Sequence, residues 1–266
     1  MKRVVVLISG RGSNLIALHR RLSGDSNQTS PTAQLVGVIS NKPEAGGIVW
    51  ARSQGIPSIT LDHRRYPNRE AFEAVLAREV HGFRPDLVVL AGFMRVLGSA
   101  FVRQFAGHLI NIHPSLLPAF PGLDTHRRAI DAGVCLHGAT VHFVNEALDG
   151  GPIIAQAAVA VLPTDDEQSL ADRVLREEHR LLPQVVIDFC SGFIALDDQG
   201  RLRSLKRLGI LNRLQTRCCV ATFARIRSLV EPSAIKSLRP VSTCFAIAGG
   251  LINNPSAALP AIGRRI

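Results

Sequence analysis

The stretch "RVVVLISGRGSNL", residues 3–15, decides the fold. It begins as an apolar run without polar alternation, as a strand covered on both faces does. Gly10 and Gly12 then permit a tight turn, and a helical pattern follows over 14–22. Strand, glycine turn and helix in this order begin a unit whose next strand runs parallel to the first, through a right-handed crossover.

The pattern repeats. Further strands are expected at "QLVGVIS" (34–40), "PSITL" (57–61), "DLVVLAGF" (86–93) and "HLINI" (108–112), with helices over 46–54, 68–81 and 99–105. Asn68 is placed to cap its helix, with Glu70 in the first turn. After a proline-studded loop come a helix over 126–132, strands at "GATVHFV" (138–144) and "GPIIAQAAVAV" (151–161), and a long helix over 169–189. "TDDEQS" precedes that last helix, and Thr164 and Glu167 have capping-box spacing. "FIAL" (193–196) and the turn "DDQG" close the regular part. The expectation is one α/β domain over 1–200, a mostly parallel twisted sheet with helices on both faces.

Residues 201–266 differ in character. The net charge of +10 suggests nucleic acid at first glance. However, 201–266 holds 12 Lys and Arg against one acid, Glu231, while 1–200 has a net charge of −1. The basicity therefore belongs to a C-terminal extension, expected to be irregular or partly helical, and not to the body. No run of about 18 apolar residues points to a membrane span. The six-residue apolar stretch after "MKR" is too short for the core of a secretory signal, so a cytoplasmic location is expected. The five cysteines form no C-x-x-C pair, which argues against a disulfide framework and a zinc site.

Three pieces carry candidate chemistry. In "LINIHPSLLPAFPG" (109–122), Asn111 and His113 stand two apart at a strand end, so both face the same side. Pro114, Pro118 and Pro121 stiffen the loop that follows. "SGRGSN" (9–14) can turn successive N–H groups and a helix N-terminus toward an anion, a phosphate being the natural guest. It lacks the Lys of a triphosphate loop and the third glycine of a dinucleotide fingerprint, so alone it fits a plain turn equally well. "LDGGP" (148–152) adds Asp149, which by itself reads as a turn residue. Ligands of open parallel sheets bind beyond the carboxyl ends of the strands, where the first two pieces lie.

"SGRGSNL", "VVLAGFMRVL", "NIHPSLLPAFPG", "THRRAI", "HGATVHFV" and "LDGGPII", in this order and spacing, resemble the phosphoribosylglycinamide formyltransferases, a family of folate-dependent formyltransferases. The resemblance covers about residues 1–200. It implies a Rossmann-like formyltransferase fold and transfer of a formyl group from 10-formyltetrahydrofolate, a co-substrate, to the amine of glycinamide ribonucleotide in purine synthesis. It implies Asn111, His113 and Asp149 as the catalytic group, without a metal. Gly12, Ser13 and Asn14 would hold the ribose phosphate, and Glu178 would reach the glycinamide end. Met94, Arg95, Val96 and Leu97 would offer the folate an apolar slot and backbone hydrogen bonds, and the 142–149 loop, with Val144 and Asn145, would close over the pteridine. His126 is a further candidate phosphate contact, while Asp124 stands where the family often carries histidine. His142 reads as structural and His137 as a site neighbour.

The runner-up is methionyl-tRNA formyltransferase, which shares the Asn-x-His core and has a basic C-terminal domain. The 66-residue extension shows no succession of alternating strands to match that barrel, and "SGRGSN" would have no phosphate to hold. A non-catalytic nucleotide-binding module with a nucleic-acid-binding tail would leave the Asn-x-His and Asp pattern without purpose. A monomer or homodimer that binds neither membrane nor nucleic acid is expected.

Overall fold

The computed structural model describes residues 1–24 and 32–204. Its main sheet has seven strands: β1 (Lys2–Ile8), β2 (Ala33–Ser40), β3 (Ser58–Thr60), β4 (Leu87–Leu90), β5 (Leu109–His113), β6 (Leu136–Phe143) and β7 (Ile153–Ala160). The helices are α1 (Ser13–Leu22), α2 (Gly46–Ser53), α3 (Arg69–Gly82), α4 (Ser99–Gln104), α5 (Thr125–Asp131) and α6 (Glu167–Cys190). Strand order is β3-β2-β1-β4-β5-β6-β7. The first five strands pair in parallel, whereas β6 and β7 join antiparallel at the β5 side. A hairpin of β8 (Ile194–Leu196) and β9 (Leu202–Ser204) follows α6. Strand β9 thus lies at the start of the extension expected over 201–266, and 205–266 lies outside the described residues.

The apolar runs are buried for the reason their pattern suggests. On β1, Val4, Val6 and Ile8 enter one core with Leu15 and Leu18 of α1, Ile48 of α2, Ala129 of α5 and Leu170 and Val174 of α6. Val5 and Leu7 point the other way, into a second core with Phe72, Leu76 and Val80 of α3 and Phe101 and Val102 of α4. Both faces of the central strands are therefore covered. Each such side chain contributes about 1.5–3 kcal/mol by leaving water.

Asn68 caps α3 as expected, its side chain accepting from Ala71 N–H at 2.8 Å. The capping box expected from Thr164 and Glu167 is not the one formed. Asp166 caps α6, accepting from Ser169 N–H at 2.8 Å, while the Ser169 hydroxyl accepts from Asp166 N–H. The neighbouring Asp165 is engaged by Arg173, which draws its carboxyl far below the usual carboxylate range. The strand expected over 86–93 stops at Leu90, and the chain bends at Gly92, whose φ of 75° suits glycine.

This topology puts a switch point between β1 and β4. From β1 the chain moves outward through α1 to β2 and β3, then returns through α3 to β4 on the opposite side. The "SGRGSN" turn and the loop after β4 flank that crevice, where ligands of open α/β sheets bind.

Candidate functional site

The turn after β1 is shaped by close glycine contact. Gly12, the N-cap of α1, has φ 77°. A Cβ there would stand 2.8 Å from the Cα of Gly47 at the start of α2, so neither the conformation nor the space admits a side chain. Gly47 N–H donates to Gly10 carbonyl at 3.1 Å. No side chain caps α1 and its first turn contains no acid, which leaves the N–H groups of that turn for an anion. Asn14, buried, donates from Nδ2 to Glu178 Oε2 of α6 at 2.6 Å, while its Oδ1 has no partner. Burial pushes the Glu178 carboxyl up, with the Asn14 bond opposing. Gly12, Ser13, Asn14 and Glu178 are thus brought together across the α1–α6 contact.

The second group sits on β5. Ile110 and Ile112 enter the core beneath α6, so Asn111 and His113 project from the opposite face. The core under α3 and α4 reaches only Leu109 on this strand, and the polar pair lies beyond it. His113 is buried, with Nδ1 3.5 Å from Asp149 Oδ2 and Nε2 donating to Phe120 carbonyl at 3.0 Å. Asp149 holds a left-handed φ of 49°, and its Oδ2 accepts from Gly122 N–H at 2.8 Å. The loop after β5 therefore contacts both titratable members of the trio. It is itself fixed by Arg128, which donates to Pro121 and Leu123 carbonyls and lies over the Phe120 ring. Thr140 on β6 fastens its start, accepting from Leu117 N–H and donating to Ser115 carbonyl.

A fourth residue joins this group. His142 is the register partner of Asn111 in the β5–β6 ladder. Its Nδ1 lies 2.9 Å from Phe143 carbonyl, which only accepts, so Nδ1 carries the proton. In the neutral ring Nε2 is then an acceptor, and Asn111 Nδ2 donates to it at 3.2 Å. Asp149 Oδ1 is 3.8 Å from the same nitrogen. Burial lowers the His142 pKa, with the Phe143 bond and the Asp149 charge opposing. Read from sequence as structural, His142 is hydrogen-bonded to the Asn111 amide. A histidine alternating with Val141 and Phe143 on a strand gives no sign of its cross-strand partner.

The remaining candidates divide. Met94 and Val96 stand exposed on the loop after β4, while Leu97 and Val144 pack against the α3–α4 core. Arg95 lies between the two exposed apolar side chains, partly buried. Asn145 serves its own loop, accepting from Ala147 N–H and approaching Gly150 carbonyl at 3.4 Å. Asp124 takes a left-handed φ of 56° at the N-cap of α5 without a capping bond. His126 packs edge-on against His137, which in turn packs against Phe120. Burial first, and then the neighbouring His126, push His137 down to about 4. Both imidazoles thus lie behind the loop that contacts His113. Among the described residues no group of three or more His, Cys, Asp or Glu could hold a metal, and no helix is long and apolar enough to cross a membrane.

The chain is 44% identical over 205 residues to phosphoribosylglycinamide formyltransferase of Escherichia coli, covering 77% of this chain and 95% of that protein. It is 49% identical over 191 residues to the trifunctional purine biosynthetic protein adenosine-3 of Drosophila melanogaster, spanning 72% of this chain but only 14% of that much longer protein. Among solved structures, glycinamide ribonucleotide transformylase 1 of Symbiobacterium toebii superposes with a TM-score of 0.71 at 43% identity, over 77% of this chain and 95% of that one. The formyl transferase family matches residues 2–186, and the chain belongs to it.

Proposed function

We propose that this protein transfers the formyl group of 10-formyltetrahydrofolate to the amine of glycinamide ribonucleotide, giving formylglycinamide ribonucleotide in purine biosynthesis. The observation that carries the reading is the Asn111, His113, Asp149 and His142 group within one fold with an uncapped glycine turn. The turn N–H groups of Gly12, Ser13 and Asn14 suit the ribose phosphate. Glu178, held by Asn14, suits the polar remainder of that substrate. The exposed apolar side chains of Met94 and Val96, with backbone groups of the same loop, suit a flat heterocycle such as the pteridine.

In this reading the substrate amine attacks the formyl carbon and the carbonyl oxygen becomes an oxyanion. Asn111 has one amide hydrogen on His142 and a second free to donate to that oxygen, a contribution of about 3 kcal/mol for a well-placed donor. His113 lies between a carbonyl and a carboxylate, both acceptors, so a ring carrying both protons donates to each. Exchanging one of those bonds for the substrate delivers a proton to the folate nitrogen as its bond to the formyl carbon breaks. Asp149 takes the proton lost by the amine, directly or through water, and holds the His113 ring. No covalent enzyme intermediate is required.

The test is an assay of the purified protein with 10-formyltetrahydrofolate and either glycinamide ribonucleotide or charged initiator tRNA as acceptor. Formylation of the ribonucleotide is expected. Transfer to the tRNA alone overturns the reading.

A further inference from the structure

The loop joining β4 to α4 presents Met94 and Val96 to solvent, and two buried polar side chains from distant parts of the chain hold it at its ends. At the first end Ser9 closes β1. Its N–H donates to Gly92 carbonyl at 3.0 Å, continuing the β1–β4 pairing one step past the strand. At Gly92 the backbone turns away, and the ladder has no further carbonyl to offer. The Ser9 hydroxyl takes over, accepting from Met94 N–H at 2.8 Å and donating to Asn41 Oδ1 at 2.5 Å. Ser9 and Asn41 are both almost completely buried. The Asn41 side chain and carbonyl then meet His63 Nδ1 at 3.3 and 3.1 Å.

At the other end Glu73 projects from α3. Its side chain is 8% exposed and Oε1 accepts from Gly98 N–H at 2.9 Å, where α4 begins. Arg69, one turn earlier on α3, approaches the same oxygen at 3.9 Å. A Cβ on Gly98 would stand 2.9 Å from Glu73 Oε2, so glycine is what lets the carboxylate close on the backbone. A carboxylate this buried is expensive unless hydrogen-bonded, and this one serves a backbone N–H of the loop.

We propose that Ser9 and Glu73 are positioning residues that fix the Met94–Gly98 loop for the folate co-substrate. Ser9 additionally makes that loop continuous with the turn that receives the phosphate. The proposal rests on the functional reading above. Neither residue touches a ligand in it. Each acts through a backbone N–H of the loop, and Ser9 is also the first residue of the "SGRGSN" turn.

The test compares Ser9→Ala with Ser9→Thr, which keeps the hydroxyl, and Glu73→Ala with Glu73→Gln, which keeps the acceptor oxygen. Both alanine variants are expected to raise KM for 10-formyltetrahydrofolate about tenfold, the effect of losing a buried hydrogen bond, while kcat changes less than about threefold. Amide hydrogen exchange should quicken in the 92–98 segment and stay unchanged in α5 and α6. The Thr and Gln variants should restore both readouts. Unchanged exchange in 92–98, exchange quickened throughout the chain, or failure of the conservative variants to rescue each overturns the proposal. Absence of formyl transfer in the unsubstituted protein defeats the functional reading instead, and hydrogen exchange then decides the loop's anchoring alone.

Discussion

His142 Nε2 accepts from Asn111 Nδ2 at 3.2 Å, and that bond exists only while the ring is neutral. Burial lowers the His142 pKa, so the bond holds through neutral pH and is lost only when the medium is acid enough to protonate the buried ring. The Asn111 amide is then free to rotate away from the reacting oxygen. Turnover should accordingly fall on the acid side, and His142→Gln should alter that limb of the kcat profile. An acid limb identical in both proteins would remove His142 from the orientation of Asn111.

The same histidines govern acid stability. His137, pushed down to about 4, and His126, His142 and His179, also lowered chiefly by burial, bind protons more readily in the unfolded chain. A lowered folded pKa gives stability that is complete above the unfolded value near 6.5 and is lost as pH falls toward the folded one. Melting temperature should therefore decline from about pH 6.5 toward 4. His137→Asn should flatten that decline, and a slope unchanged by it contradicts the assignment.

Removing a member of the trio should cost turnover without unfolding the protein. Asn111→Ala, His113→Ala and Asp149→Ala are each expected to lower kcat at least about a hundredfold, as loss of an acid–base or oxyanion group does. Steady-state kinetics on variants with normal circular dichroism provide the check. Near-normal turnover in folded His113→Ala would take that residue out of the mechanism.

Glu178 opposes stability and function. Its carboxyl is raised by burial, so the folded state disfavours the charge at neutral pH. Glu178→Gln keeps an acceptor for Asn14 and removes the charge. The melting temperature should rise at pH 7 to 8, and the gain should vanish below the unfolded value of 4.5, where both side chains are neutral in either state. Binding of glycinamide ribonucleotide should weaken at the same time. A variant less stable than the parent at pH 8 would mean that the Asn14 bond depends on the charge.

Much of this arrangement was legible in the sequence, and what was not has physical reasons. The runs at 4–8 and 87–90 are apolar on both faces because helices cover both, and continuous apolarity shows directly. Asn111 and His113 share a face by simple alternation. His142, Ser9 and Glu73 are different. Each is polar on an element whose pattern explains it without a partner, and each finds that partner 25 to 85 residues away. The cap of α6 shifted from Thr164 to Asp166 because three adjacent polar residues satisfy similar local patterns, and the Arg173 bond to Asp165 is tertiary.

Gly12→Val separates the two ligands. The new side chain would press on Gly47 and force the backbone out of its φ of 77°, so the N–H groups of Ser13 and Asn14 would lose their alignment. Calorimetry should show weaker binding of glycinamide ribonucleotide with tetrahydrofolate binding retained. Equal losses for both would mean that the turn is structural and the phosphate lies elsewhere.

The C-terminal residues lend themselves to a deletion. Every residue assigned to the site or to its positioning lies between Ser9 and Glu178, and the family match ends at residue 186. Among the described residues, the seven-stranded sheet, both cores and the β8–β9 hairpin lie at or before Ser204. In the proposed reading the phosphate of the acceptor has its turn at Gly12 to Asn14, so the reaction is expected not to need the 10 basic residues after 204. A fragment of residues 1–204 should therefore fold and transfer formyl groups with kcat and KM close to those of the full chain. The measurement is a paired comparison of melting temperature and steady-state kinetics. A fragment that stays unfolded, or that loses most of its activity, shows that the basic residues support the body or the substrate, and the site described above is then incomplete.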